Sequence, residues 1–209
     1  MTDATKFWDK AAAKYALSPI RDPAAYEYTT GRTRSYLKPT DQVLELGCGT
    51  GSTALLLAPD AGQITGMDIS PAMIQIAQDK AQGVENVSFK VATAAQAMQQ
   101  GERADVVLGF NIFHLTDDLE GVMAAVASHL APGALFISKT PCLAEPSIGL
   151  KRFAFRAMIP VMRMAGYAPF VHMLRFAQLE AMIENAGFEL VETGSFPQMS
   201  RFIVARRRG

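Results

Sequence analysis

Cysteine is scarce in this chain of 209 residues: Cys48 and Cys142 are the whole supply. Neither lies in a Cys-x-x-Cys pair or a Cys/His cluster with metal spacing. A disulfide-stapled scaffold, a structural zinc and a cysteine relay are therefore excluded, and no metal is expected. Reduced thiols point to a cytoplasmic protein. Charge of one sign is also missing, because 20 Lys and Arg balance 20 Asp and Glu. No bulk field draws the chain to DNA, RNA or an anionic membrane. No apolar run approaches a transmembrane span. The opening MTDATKFWDK carries an acid and no apolar stretch, so a secretory signal is not expected. Repeats and low-complexity tracts are absent as well. What remains is 49% hydrophobic and 19% charged, an ordinary globular composition of one-domain length.

The hydrophobic period then divides the chain. Phe7, Ala11 and Tyr15 recur at four-residue spacing and predict a helix over 3–16. Asp22-Pro23 opens a second helix to about 37. Strands are expected at 42–46, 63–67, 86–91, 104–109 and 134–140, with helices between them to about 58, at 71–82, 94–100 and 118–130. Ser70-Pro71 supplies a cap and a first-turn proline, and Thr116 or Asp117 is expected to cap the helix at 118. Strand followed by helix, repeated, means βαβ units and a parallel sheet covered on both faces. The pattern lapses over 141–178, a stretch rich in Pro, Met, Phe and Arg. It resumes with a helix at 176–186 and strands at 188–194 and 200–206.

Between the first strand and its helix stands Val43-Leu44-Glu45-Leu46-Gly47-Cys48-Gly49-Thr50-Gly51-Ser52. Glycine permits positive φ and removes the Cβ, so backbone can lie against a ligand. Such a turn, at the carboxyl end of a strand, is where βαβ folds meet nucleotides. Asp68 ends the second strand about 20 residues on, where an acid hydrogen-bonds ribose hydroxyls. Capping of the next helix is the alternative for Asp68, although Ser70 is better placed for it. A dinucleotide fingerprint reads Gly-x-Gly-x-x-Gly, and here Ser52 takes the last position.

The Gly-x-Gly-x-Gly spacing with Asp68 resembles the class I S-adenosylmethionine (SAM)-dependent methyltransferases, over about residues 40–140. Its overall pattern looks most like the ubiquinone/menaquinone-biosynthesis-type branch. The resemblance implies an α/β, Rossmann-like three-layer sandwich, whose seven-stranded, mostly parallel sheet has an antiparallel last strand. It implies one domain: an N-terminal helical cap at 1–38, a SAM-binding core at 39–140, a helical lid at 141–178, and a final helix and strands at 179–209. It also implies that Gly47, Cys48, Gly49 and Gly51 form the cofactor loop, with the methionine end of SAM as the neighbour that excludes their Cβ atoms. By the same resemblance Glu45 supports that loop, Asp68 holds the ribose, and Ile69 and Met73 pack on the adenine. Thr93 and Ala94 meet the adenine edge, with Thr93 where the family usually has an aspartate. Phe110 and Asn111 line the methyl-donor side.

The sulfonium methyl of SAM is already activated, so positioning and water exclusion supply most of the chemistry. His114 is the one candidate base, with a structural or helix-capping role as its alternative. Families of this shape roof the pocket with N-terminal helices and the insertion. Tyr15 is therefore expected to reach cofactor and Tyr28 substrate, whereas Phe7 and Trp8 are expected to dock their helix. Between Ser147 and Gln178 stand Lys151, Arg152, Arg156, Arg163 and Arg175, without one acid. Phe155, Met158, Ile159 and Met162 form an apolar stripe beside Arg152, Arg156 and Arg163, and Pro160 is expected to kink or end this helix. Arg152 and Arg156 are candidate substrate ligands. The segment suits peripheral membrane contact or a cover over a greasy acidic substrate; a solvated lid is the alternative.

The resulting expectation is an enzyme that uses SAM and releases S-adenosylhomocysteine (SAH). It would methylate a small, apolar acceptor such as a lipid or quinone precursor, with no nucleic-acid partner. A SAM-binding module without turnover and an NAD-linked oxidoreductase are the alternatives, and Ser52 counts against the latter.

Overall fold

A computed structural model describes residues 2–100 and 103–209. One sheet holds β1 (Gln42–Leu46), β2 (Gln63–Asp68), β3 (Val87–Val91), β4 (Val106–Phe110), β5 (Leu135–Pro141), β6 (Phe188–Gly194) and β7 (Ser200–Arg207), in the spatial order β3-β2-β1-β4-β5-β7-β6. The first five strands pair in parallel, each joined to the next through a helical crossover. A five-residue loop joins β6 to β7, too short for a crossover, so β7 runs antiparallel to β6 and to β5.

The helices are α1 (Asp3–Leu17), α2 (Pro23–Arg34), α3 (Ser52–Leu57), α4 (Pro71–Lys80), α5 (Ala94–Gln100), α6 (Leu119–His129), α7 (Lys151–Met164) and α8 (Phe176–Asn185). Side-chain caps start several of them. Asp22 accepts from Ala25 N at 3.0 Å, and Ser70 Oγ accepts from Met73 N at 3.1 Å. Each such cap is worth about 1 kcal/mol. Neither Thr116 nor Asp117 caps α6; Asp118 does, accepting from Gly121 N at 2.9 Å. Thr116 instead closes the preceding 3-10 turn, its N–H donating to Phe113 O. Helix α2 stops at Arg34, short of residue 37. Tyr36 N and Leu37 N fold back onto Thr33 O and Arg34 O in a tight turn ahead of Pro39.

Alternate residues of the central strands feed two cores. Val43, Leu108, Ile137 and Phe202 pack with Leu57 and Ile74 on one face, whereas Leu44, Val107, Phe136 and Ile203 pack with Met123 and Ile183 on the other. Strands buried on both faces read as near-continuous apolar runs, which is why the sequence pattern was clear there. Strand β1 lies between β2 and β4: the chain winds outward from β1 through β2 to β3, then crosses back to β4 on the other side of β1. Beyond the carboxyl ends of β1 and β4 this reversal opens a crevice.

Two polar anchors hold the N-terminal helices near that crevice. Asp9 of α1 accepts from Ser70 Oγ at 2.5 Å and from Ala72 N at 3.1 Å, at the start of α4. Arg32 of α2 grips Glu192 of β6 through Nε at 2.9 Å and Nη2 at 2.5 Å, and Tyr36 Oη donates to the same carboxylate at 2.7 Å.

Helix α7 continues through Pro160 to Met164 and does not end there. None of its residues is fully buried, so water can reach the carbonyl that the missing N–H leaves unpaired. Residues 165–175 form no regular element. Among the described residues no helix is long and apolar enough to cross a membrane.

Candidate active site

The glycine loop is built mainly from inside the protein. At Gly47, with φ +65°, a Cβ would stand 2.8 Å from Ile112 Cγ1. At Gly51, with φ +74°, it would stand 2.5 Å from Phe89 Cζ and 2.9 Å from Ala77 Cβ. Protein packing thus excludes a side chain at both positions, where the cofactor was the expected neighbour. Gly49 differs: a Cβ there meets only Tyr15 Cε1, at 3.8 Å. Its open side is where a ligand can approach the backbone.

Polar contacts fix the loop from two sides. Asp68 Oδ2 accepts from Gly49 N at 3.0 Å, and Oδ1 accepts from Ser70 N at 2.9 Å. Asp68 therefore ties the loop to the end of β2, and each oxygen keeps a lone pair for a further donor. Burial raises its pKa while these N–H groups pull it back. From α4, Lys80 Nζ donates to Thr50 O, Thr50 Oγ1 and Ser52 Oγ at 3.0–3.1 Å.

Two cavities flank the loop. The smaller, about 100 Å³, is lined by Asp68, Ile69, Met73, Ala92, Ala94 and Leu115, with Trp8 across from them. The larger, about 460 Å³, runs past Glu45, Cys48 and Thr53 to Tyr26, Thr29, Arg21 and Lys139. Tyr15, Gly47, Gly49, Phe110 and Asn111 line both. An open depression of about 650 Å³ also exists at the amino-terminal ends of the strands, around Gln42 and Gln63, opposite the end where such sheets bind ligands.

Glu45 is the acid in the wall of the larger cavity. It is 3% exposed, and its Oε2 has no hydrogen-bond partner. Burial, with the neighbouring Asp68 charge, pushes its pKa up to about 8. A cationic ligand would satisfy the orphaned oxygen and restore the carboxylate. The Cys48 thiol is likewise raised by burial and by Glu45 and Asp68, which leaves it a thiol without nucleophilic activation. Asn111 adopts φ +58° at the shared wall, and its N–H donates to Lys139 O at 2.8 Å.

The cavities gather Glu45, Gly47, Cys48, Gly49, Asp68, Ile69, Met73, Ala94, Phe110, Asn111 and Tyr15. They do not gather the rest of the expected set. Gly51 packs inward. Thr93 Oγ1 accepts from Gln96 N at 3.1 Å while Thr93 N donates to Gln96 Oε1 at 3.0 Å, a reciprocal cap for α5. Tyr28 packs edge-on against Phe196 and Phe202, away from both cavities. Arg152 and Arg156 line a separate open groove with Phe153, Met173 and Arg175. His114 lies in the 3-10 turn Phe113–Leu115 and lines neither cavity. Burial pushes its pKa down to about 4, with His172 adding to the effect, so it is a poor base at neutral pH. Reading the sequence missed Tyr26, Lys139 and the cavity role of Trp8. Lys139 alone carried a signal: a lysine inside an apolar strand is rarely a packing choice.

Comparisons with known proteins point to methyltransferases. Residues 43–133 match the family model described as a methyltransferase domain. A ubiquinone biosynthesis O-methyltransferase of Rhizobium leguminosarum bv. trifolii is 29% identical over 185 residues, covering 86% of this chain and 72% of the relative. One from Methylobacterium nodulans is 24% identical, covering 99% and 87%. The crystal structure of magnesium protoporphyrin IX methyltransferase from Synechocystis with bound SAH superposes with a TM-score of 0.73 at 20% identity, over 98% of each chain. That last match shows the shared fold.

Proposed function

We infer that the chain, a class I SAM-dependent methyltransferase, methylates an oxygen on a small acceptor with a largely apolar body, such as a quinone precursor or a lipid. One observation carries the placement: the two cavities share the wall of Tyr15, Gly47, Gly49, Phe110 and Asn111. The lining of the smaller suits adenosine, with Asp68 toward the ribose and Ile69, Met73 and Ala94 against the base, although at about 100 Å³ it must widen to admit the nucleoside. Glu45 and the open face of Gly49 suit the charged methionine end, which would enter the larger cavity beside the acceptor. Names of the relatives support an oxygen acceptor related to quinones.

When bound, SAM supplies an activated methyl group. The chain's own part is to bind and orient. Asp68 holds the loop and keeps acceptor capacity for hydroxyls. Phe110 and Asn111 border the space where donor and acceptor would meet. Helices α1 and α2 cover the crevice through Tyr15 and Tyr26 and limit access of water. We read residues 1–209 as one domain, with 1–38 as the cap and 141–178 as a lid.

The outward face of α7 supports a contact between that lid and an anionic lipid surface, from which a greasy acceptor would be drawn. Leu150, Phe153, Met158, Val161 and Met164 are 50–89% exposed and fall on one side of the helix. Arg152, Arg156 and Arg163 fall toward the opposite side of the helix, and Arg152 folds back over the Phe153 ring. Methyl transfer from labelled SAM tests the function, as set out at the end of the Discussion.

A further inference from the structure

Lys139 sits in β5 with an exposure of 8%, yet it lines the larger cavity. Its register partner is Phe110 of β4, and it points to the same face of the sheet as Ile137, toward α2. The ammonium has three protons to donate. One hydrogen bond is formed, to Ala25 O at 3.4 Å, and that oxygen already accepts from Thr29 Oγ1 at 2.7 Å. Among the described residues no carboxylate lies in ion-pair contact with it. Asp22 acts on it only at longer range, and burial lowers its pKa. Glu45 shares the cavity but stands two strands away, across β4 and offset along the sheet.

A buried ammonium with one long hydrogen bond and no ion pair is costly, and a methionine of similar length would fill the space without that cost. Stability therefore does not explain the lysine. The paired cavities are bipolar instead. Asp68 lines the smaller, on the side assigned to the cationic cofactor, whereas Lys139 and Arg21 line the larger, which Glu45 also enters. We propose that Lys139 holds an anionic oxygen of the methyl acceptor, a carboxylate or an ionised hydroxyl, and so fixes which part of the acceptor turns toward the donor. This rests on the methyltransferase reading of the site. It makes the acceptor amphiphilic: an apolar body with one acidic oxygen-bearing end.

The same chemistry has a second source, the carboxylate of the cofactor itself, and the test separates the two. Calorimetric titration of the wild-type chain, Lys139→Met and Lys139→Arg would use SAH and its decarboxylated analogue. With SAH saturating, 3,4-dihydroxybenzoate and catechol would follow, a pair that differs only by a carboxylate. In the wild type the benzoate should bind at least about tenfold more tightly than catechol, as one charge-assisted hydrogen bond implies. Lys139→Met should erase the preference and leave SAH affinity within about twofold, and Lys139→Arg should retain part of it. Equal or absent binding of the two probes to the wild type overturns the proposal. So does a loss of SAH affinity in Lys139→Met that the decarboxylated analogue does not share, because the lysine then serves the cofactor. If the wild type fails to bind SAH, the methyltransferase reading falls first. Should Lys139→Met not fold, the wild-type preference and Lys139→Arg still decide.

Discussion

Replacing Glu45 by Gln removes one ionisable group from the wall of the larger cavity while keeping its shape. In the free protein Glu45 has a pKa of about 8 because it is buried, and its Oε2 has no partner. At pH 7 a group with that pKa is about 0.9 protonated. A cationic ligand that engages the orphaned oxygen needs the carboxylate, so binding must release that proton. Calorimetric titration with SAH in phosphate and in Tris should therefore give enthalpies that differ by nearly one proton's worth of buffer ionisation. In Glu45→Gln the difference should vanish and affinity should fall. The free protein carries the same signature. The folded pKa lies above the unfolded value of 4.5, so the contribution of Glu45 is fully present below pH 4.5 and is lost as pH rises through 8. The loss amounts to about 3 kcal/mol by pH 7 and about 5 kcal/mol once the group is ionised. Glu45→Gln should flatten that slope in denaturant titrations. Identical SAH enthalpies in the two buffers for the wild type would refute the reasoning, since Glu45 would then not ionise against the ligand.

Four further outcomes follow from the loop and the lid. Gly51→Ala should lower the unfolding free energy by about 1–3 kcal/mol through the clash with Phe89 and Ala77, read as a fall in Tm. Gly49→Ala should cost only about 1–2 kcal/mol of backbone strain but weaken SAH binding, because its open side faces the ligand; a larger Tm loss than in Gly51→Ala would contradict this. Asp68→Ala should weaken SAH by about 1–3 kcal/mol and also destabilise the free chain, since Gly49 N and Ser70 N lose their acceptor; unchanged affinity by calorimetry would leave Asp68 a loop tether alone. At low salt the chain should float with anionic liposomes. Neutralising Arg152, Arg156 and Arg163, or replacing Val161 and Met164 by Ser, should release it, and failure of the wild type to float would leave α7 a solvated lid.

The doubly wound sheet was legible because β1, β2 and β4 are buried on both faces and each ends in a clear break. The same logic put Gly49 and Asp68 at the carboxyl ends of β1 and β2, whereas Glu45 came only with the family resemblance. Helical phase was harder. Helix α2 carries Tyr26 and Tyr28 among Thr and Ala, so no apolar stripe says which ring turns toward the crevice; Tyr26 does, donating to or accepting from Thr53 Oγ1 at 3.3 Å. Thr93 looked like a stand-in for an adenine-binding acid, but with Gln96 three residues on it is a capping box. The glycines at 47 and 51 answer to Ile112 and Phe89, residues 65 and 38 positions away, and no local pattern announces such contacts. Lys139 joins the cavity only because β5 lies next to β4 and α2 folds over both.

The most direct test of the account is methyl transfer itself. The purified chain, incubated with methyl-labelled SAM and the organic-soluble fraction of a cell extract, should label a small molecule. Mass analysis should find one added methyl on an oxygen, with no transfer when NAD replaces SAM. SAM binding without label in any fraction would contradict the proposed function and leave a binding module. Label found only in nucleic acid would contradict the small acceptor.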